Sequence, residues 1–241
     1  PDTLARVRAD GTLRVCIWPD YYGVTFRHPR TGQLSGIDID LSRALGAALG
    51  VRVEHVDSSF PTLVADVTGG RCDVAMFAVG VTPARAAALA FTRPYLRSDF
   101  YAVATRTARA VPTWEDMDRP GVVVAVQAGT VMEPVMRERL RHATLSVVRP
   151  PATREAEVQA GRADVFISDF PYTRRLLPQA DWARLLTPRE PFHLVSYAYA
   201  VKPGDPAWLA YVDGFVADVQ RDGRLARAAQ AHGLEPIVVR E

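Results

Sequence analysis

Short apolar runs alternate with capped helical stretches along the whole chain, and that alternation restricts the fold more than any other feature. Residues 13–18 form an apolar run ended by Pro19, the length and flank of a strand. Asp38 or Asp40 can cap a helix whose Leu41, Leu45 and Ala48 share one face. Residues 51–56 alternate as a strand. Ser59 and Pro61 open a second helix, stopped by Gly69 and Gly70. Residues 73–79 read as a buried strand, after which Thr82 caps a helix with Pro83 in its first position. Strands separated by helices in this way make a mostly parallel sheet.

The second half repeats the plan. Strands are expected at 121–126, 144–148 and 164–168. Helices are expected to start at Thr130 and Thr153, the latter stopped by Gly161. One phrase recurs: Gly70-Arg71-Cys72-Asp73-Val74 is echoed by Gly161-Arg162-Ala163-Asp164-Val165. In both places a helix ends at glycine and a buried strand begins. Two further apolar stretches, 100–105 and 196–201, can carry the chain from one half to the other and back. After the second, Asp205-Pro206 starts a long helix and a shorter one follows Gly223. The expected fold is α/β, with two lobes joined by two crossover strands and a ligand cleft between them. The first lobe is 1–104 with 200–241, the second 105–199.

Composition narrows the function classes. The 241 residues are 48% hydrophobic, enough for two modest cores, and the net charge of +2 gives no field directed at nucleic acid. Lys202 is the only lysine among 29 basic residues, so in so arginine-rich a chain one arginine is weak evidence of a site. Cys16 and Cys72 are too few for a disulfide scaffold or a metal site. Buried, inert thiols are expected, with a disulfide as the alternative. The histidines are scattered, and phosphate loops, zinc spacings and nucleophile elbows are absent, so no metal or cofactor is expected. No apolar run is long enough to span a bilayer. The sequence starts at Pro1 without Met, so residues ahead of it are expected to have been removed; that these were a signal peptide is an expectation from the family resemblance given next.

An ordered set of phrases gives the chain its resemblance. It runs from Gly11-Thr12-Leu13-Arg14-Val15 through Asp20-Tyr21, Gly36-Ile37-Asp38-Ile39-Asp40-Leu41 and Thr82-Pro83-Ala84-Arg85 to Phe91-Thr92-Arg93-Pro94-Tyr95. Gly129-Thr130, Gly161-Arg162-Ala163-Asp164 and Ser168-Asp169 continue it in the second half. With these the sequence resembles the amino-acid family of periplasmic solute-binding proteins (type II fold), and it is also similar to the cyclohexadienyl dehydratases that share the fold. The dehydratase likeness is clear around Pro94-Tyr95-Leu96-Arg97, Asp118-Arg119-Pro120-Gly121 and Pro191-Phe192.

The resemblance implies roles that elementary chemistry supports. Arg85, one turn into the helix capped by Thr82, would hold a ligand carboxylate through a two-pronged guanidinium, aided by the positive end of that helix. Gly129 and Thr130 would offer amides to the same carboxylate, with Val131 beside them. Thr130 and Glu133 are also spaced as a capping box. Asp169 would meet an ammonium, although an aspartate before x-Pro is also an ordinary N-cap. Tyr21 and Phe60 would wall the ligand. Trp18 stands where binders of basic amino acids place an aspartate, and Gly80 and Phe77 replace residues that often carry hydroxyls. A cationic side chain should therefore be disfavoured, because an unpaired ammonium there would be costly to desolvate.

The expected function is an extracytoplasmic, periplasmic solute-binding protein, monomeric, serving the membrane subunits of an ABC permease. It would capture by hinge closure an amino acid or related small carboxylate with an uncharged side chain. The alternatives are a prephenate or arogenate dehydratase with Glu133 as general acid, and the sensor module of a larger receptor.

Overall fold

The computed structural model describes residues 2–241. In chain order the first elements are α1 (Thr3–Asp10), β1 (Thr12–Ile17), a small hairpin of β2 (Phe26–Arg27) and β3 (Leu34–Ser35), α2 (Ile37–Leu49), β4 (Arg52–Asp57), α3 (Leu63–Thr68), β5 (Val74–Gly80), α4 (Pro83–Ala86), β6 (Ala90–Phe91) and β7 (Leu96–Ser98). There follow β8 (Tyr101–Thr105), β9 (Val123–Gln127), α5 (Met132–Arg139), β10 (Thr144–Val148), α6 (Arg154–Gln159), β11 (Val165–Ser168), α7 (Phe170–Leu176) and β12 (Ala183–Leu186). The chain closes with β13 (Val195–Val201), α8 (Pro206–Arg221) and α9 (Arg224–Ala231).

Two compact units result. One runs to Arg97 and resumes over Val195–Glu241; the other is Ser98–Leu194. The first holds a sheet ordered β4-β1-β5-β13-β6, the second a sheet ordered β10-β9-β11-β8-β12. In each, three parallel strands are followed by antiparallel ones. The sequence reading placed the divisions at 104/105 and 199/200. They fall at 97/98 and 194/195 because β8 pairs throughout with β11 and β12, whereas β13 pairs with β5 and β6.

The repeated phrase does the same work twice. Asp73 accepts from the Arg14 amide at 2.8 Å and returns its own N–H to the Arg14 carbonyl. Asp164 accepts from the Val123 amide at 2.7 Å and returns its N–H to the Val123 carbonyl. Each aspartate thus pins the third parallel strand to the start of the first, which sets the register Val15↔Val74 in one unit and Val124↔Val165 in the other.

Two expectations need correction. The thiols expected at Cys16 and Cys72 are joined in a disulfide. The turn into β5 lays Cys72 beside β1, where the two Cα atoms are 5.5 Å apart, within bridging range. Nor do Asp38 and Asp40 cap α2. Gly36 holds that place at φ 133°, and a Cβ there would lie 2.2 Å from the Val24 carbonyl oxygen, so only glycine fits.

Asp38 instead points into the core and has no exposed surface. The Tyr199 hydroxyl donates to it at 2.6 Å and the Tyr95 hydroxyl donates to its other oxygen. The Tyr95 oxygen in turn accepts the Ala78 N–H at 3.1 Å, at a residue whose φ of 51° is unusual for a side chain bearing a Cβ. Beside it the pairing of β5 with β13 shifts register, so the tyrosine stabilises a bulge. Burial pushes the Asp38 carboxyl up from 3.8 to about 7, despite the two phenols that favour its charged form. The folded protein therefore keeps a proton that the unfolded chain releases. The stability so contributed is fully present below pH 3.8 and lost as pH rises through about 7. Urea unfolding at a series of pH values should show a decline of order 4 kcal/mol from this group. Asp38→Asn should flatten that slope.

Candidate functional site

In both sheets the expected site residues are delivered by the carboxyl ends of the parallel strands, the edge where open α/β sheets bind ligands. In the first unit Trp18 follows β1, Phe60 follows β4, and Gly80 and Arg85 come from the end of β5 and from α4. In the second, Gly129 and Thr130 follow β9, and Asp169 follows β11.

The first unit gathers its residues into an aromatic wall. The ring centres of Trp18 and Tyr21 are 5.2 Å apart, those of Trp18 and Phe60 5.5 Å, and those of Tyr21 and Phe60 5.9 Å, all edge to face. Phe77, on β5, has no exposed surface and meets Phe60 edge to face at 5.2 Å, so it supports the wall from beneath. Arg85 lies at the end of this wall. Its guanidinium is 5.4 Å from the Phe60 ring centre, and Nη1 donates to the Gly80 carbonyl at 2.9 Å. The residue is 9% exposed, and burial pulls its pKa down to about 10, with Tyr21 and Tyr197 opposing that shift. It therefore stays charged at neutral pH.

Thr82 caps α4, as expected, by accepting from the Arg85 amide at 3.1 Å. However, α4 has 4 residues, a single turn, so its macrodipole adds little. Anion binding here rests on the guanidinium.

In the second unit the expected capping box does not form. Val131, buried, is the N-cap of α5, and the Thr130 hydroxyl donates to the Gln127 carbonyl at 2.8 Å. Glu133 reaches back to accept from the Gly129 amide at 3.1 Å, and its other oxygen pairs with Arg137 at 3.3 Å. Asp169 is buried and caps α7, accepting from the Tyr172 amide at 3.0 Å. Capping uses one acceptor direction of a carboxylate that has several. Two pockets of this unit, about 710 and 520 Å³, contain none of the expected site residues. Among the described residues no cluster suits a metal ion, and no helix is long and apolar enough to cross a membrane.

Residues 13–235 match the bacterial extracellular solute-binding proteins, family 3. Cyclohexadienyl dehydratase of Pseudomonas aeruginosa is 30% identical over 236 residues, covering 96% of this chain and 86% of the enzyme. The L-cystine-binding protein TcyJ of Escherichia coli is 24% identical over 222 residues, covering 92% of this chain and 82% of that protein. Among solved structures, an ancestral amino acid-binding protein described as a precursor of cyclohexadienyl dehydratase superposes with a TM-score of 0.86. It is 29% identical and covers 95% of this chain and 99% of its own. The fold is that of type II periplasmic binding proteins. The chain belongs to family 3 of the bacterial extracellular solute-binding proteins.

Proposed function

We propose that this protein is a periplasmic or otherwise secreted receptor for an amino acid or related small carboxylate, working with the membrane subunits of an ABC permease. The observation that carries this reading is Arg85, a guanidinium largely removed from water yet still charged, set at the end of an aromatic wall. Taking such a charge out of water costs free energy that an incoming carboxylate returns. The three rings Trp18, Tyr21 and Phe60 supply no carboxylate of their own to pair with a cationic side chain, and Phe60 already lies against the Arg85 guanidinium. They do not by themselves demand a neutral one. Several relatives carry amino-acid-binding names, which supports the solute class.

Ligand would dock first on Arg85 and Tyr21. Thr130 and Asp169 would complete the site as the protein closes, with Asp169 taking an ammonium. The ligand shifts the balance toward the closed form only by its preference for that form. A dissociation constant of about 1 μM would suit the task.

The likeness to the Pseudomonas aeruginosa enzyme favours a second reading, a dehydratase with Glu133 as general acid. Such an acid should be shielded and aimed at substrate. Glu133 is a partly exposed residue occupied by the Gly129 amide and by Arg137, which is what a helix-capping glutamate does. Incubation with prephenate or arogenate should give no aromatic product above the uncatalysed background. Turnover that Glu133→Gln abolishes would establish the enzyme instead.

A further inference from the structure

Arg154, the first residue of α6, is a second buried arginine, 4% exposed. Its guanidinium carbon lies 5.1 Å from the centre of the Phe166 ring and 4.7 Å from that of Tyr172. Nη1 donates to the Ile167 carbonyl at 2.8 Å. Among the described residues no carboxylate forms an ion pair with it; neighbouring Glu155 accepts from the Tyr172 hydroxyl at 2.6 Å instead. The remaining donors are not completely sealed in, because His232 Nδ1 is the one fully buried side-chain nitrogen or oxygen without a partner among the described residues. Nε–H and Nη2–H, on the other side of the fork, therefore keep a narrow contact with solvent in a residue that is otherwise buried.

That arrangement is uneconomical for an arginine with a purely structural role. Removing a guanidinium from water without an anion is costly, and ring contacts offset only part of the cost. A structural arginine would spend both sides of its fork on carbonyls or a carboxylate. Here one side is spent, aromatic rings lie beside the guanidinium, and the other side keeps two parallel donors at the spacing of two carboxylate oxygens. The position fits as well. The connection leaving β10 brings Arg154 to the carboxyl end of β11, where it holds Ile167, two residues before Asp169.

We propose that Arg154 binds a second acidic group of the ligand through this open side, so that the preferred solutes are short acids carrying two anionic groups. The inference rests on the binding function above and narrows it: Arg154 selects an anion in place of the uncharged side chain expected from sequence.

The test is calorimetry on the full chain with L-glutamate against L-glutamine and L-aspartate against L-asparagine. The acid should bind roughly 10- to 100-fold more tightly than its amide. Arg154→Gln should bring the acid down to the affinity of the amide, while the amide changes by less than about threefold. Arg154→Lys should lie between, keeping the charge without the fork. Equal affinity for acid and amide in the unaltered protein, binding of none of the four, or an equal weakening of both by Arg154→Gln would overturn the inference. If Arg154→Gln does not fold, an acid-to-amide ratio unchanged in Arg154→Lys would do the same. Arg85→Ala separates the two levels. Loss of all four ligands in that variant, with acid and amide equal in the parent, leaves the binding function standing and removes the role of Arg154.

Discussion

Arg85→Ala should weaken binding of the cognate solute by roughly 100-fold or more, because it removes a desolvated, charge-assisted partner of the carboxylate. The same change should cost the fold less than it costs binding. Truncation gives up contacts that include the Gly80 carbonyl and the Phe60 ring, but it also relieves the desolvation that depresses the pKa of this buried guanidinium. Calorimetry and thermal unfolding of the same samples distinguish the two effects. Arg85→Lys should recover only part of the affinity, since an ammonium cannot form the two-pronged pair. A variant that binds normally, or that unfolds many degrees lower, would mean that the arginine serves the fold and not the solute.

The largest effect on stability should come from the disulfide. Cys16 and Cys72 are separated by 56 positions in the sequence, and a cross-link closing a loop of that length stabilises by about 4 kcal/mol in the chain-entropy account. For a chain of this size the loss should lower the thermal midpoint by roughly 10 °C. Thermal unfolding with and without reductant, beside the Cys16→Ser, Cys72→Ser double variant, measures it. The reduced protein and the double variant should agree. Where folded, both should bind solute normally, since neither cysteine is part of the aromatic wall. A bond of this kind also suits an oxidising compartment, in keeping with a family of extracellular proteins.

Much of the architecture was legible because local chemistry and fold agree. The Gly-Arg-x-Asp-Val phrase marks, in both units, the point where an aspartate pins the third strand to the first. Caps at Thr82, Thr153, Asp169 and Asp205 form where the sequence shows them. The misreadings have a common cause, in that a side chain's partner lies far along the chain. Asp38 has the residue type and place of an N-cap, and only the tertiary fold brings Tyr95 and Tyr199 to it. Nothing local tells a buried thiol from a bonded one, and the pairing at Cys16 appears only once β1 and β5 are neighbours.

Among the candidate binding residues, Trp18, Tyr21, Phe60 and Arg85 lie together within one unit; the resemblance singled them out, and no local pattern does. Phe77 lies beneath that wall, because its position in β5 faces the core. Thr130 and Glu133 have the spacing of reciprocal partners, but the Thr130 hydroxyl donates to Gln127 and Glu133 takes the Gly129 amide. Nothing local singles out Arg154 in so arginine-rich a sequence. Its burial between Phe166 and Tyr172 is visible only in three dimensions.

The most direct measurement compares an amino acid that binds with its primary amide, in the parent protein and in Arg85→Ala. Neutralising the α-carboxylate should cost the parent most of its affinity and should cost the variant nothing further, since the guanidinium it would have met is gone. An amide that binds the parent as tightly as the acid would contradict the assignment of Arg85 as the anchor of the solute.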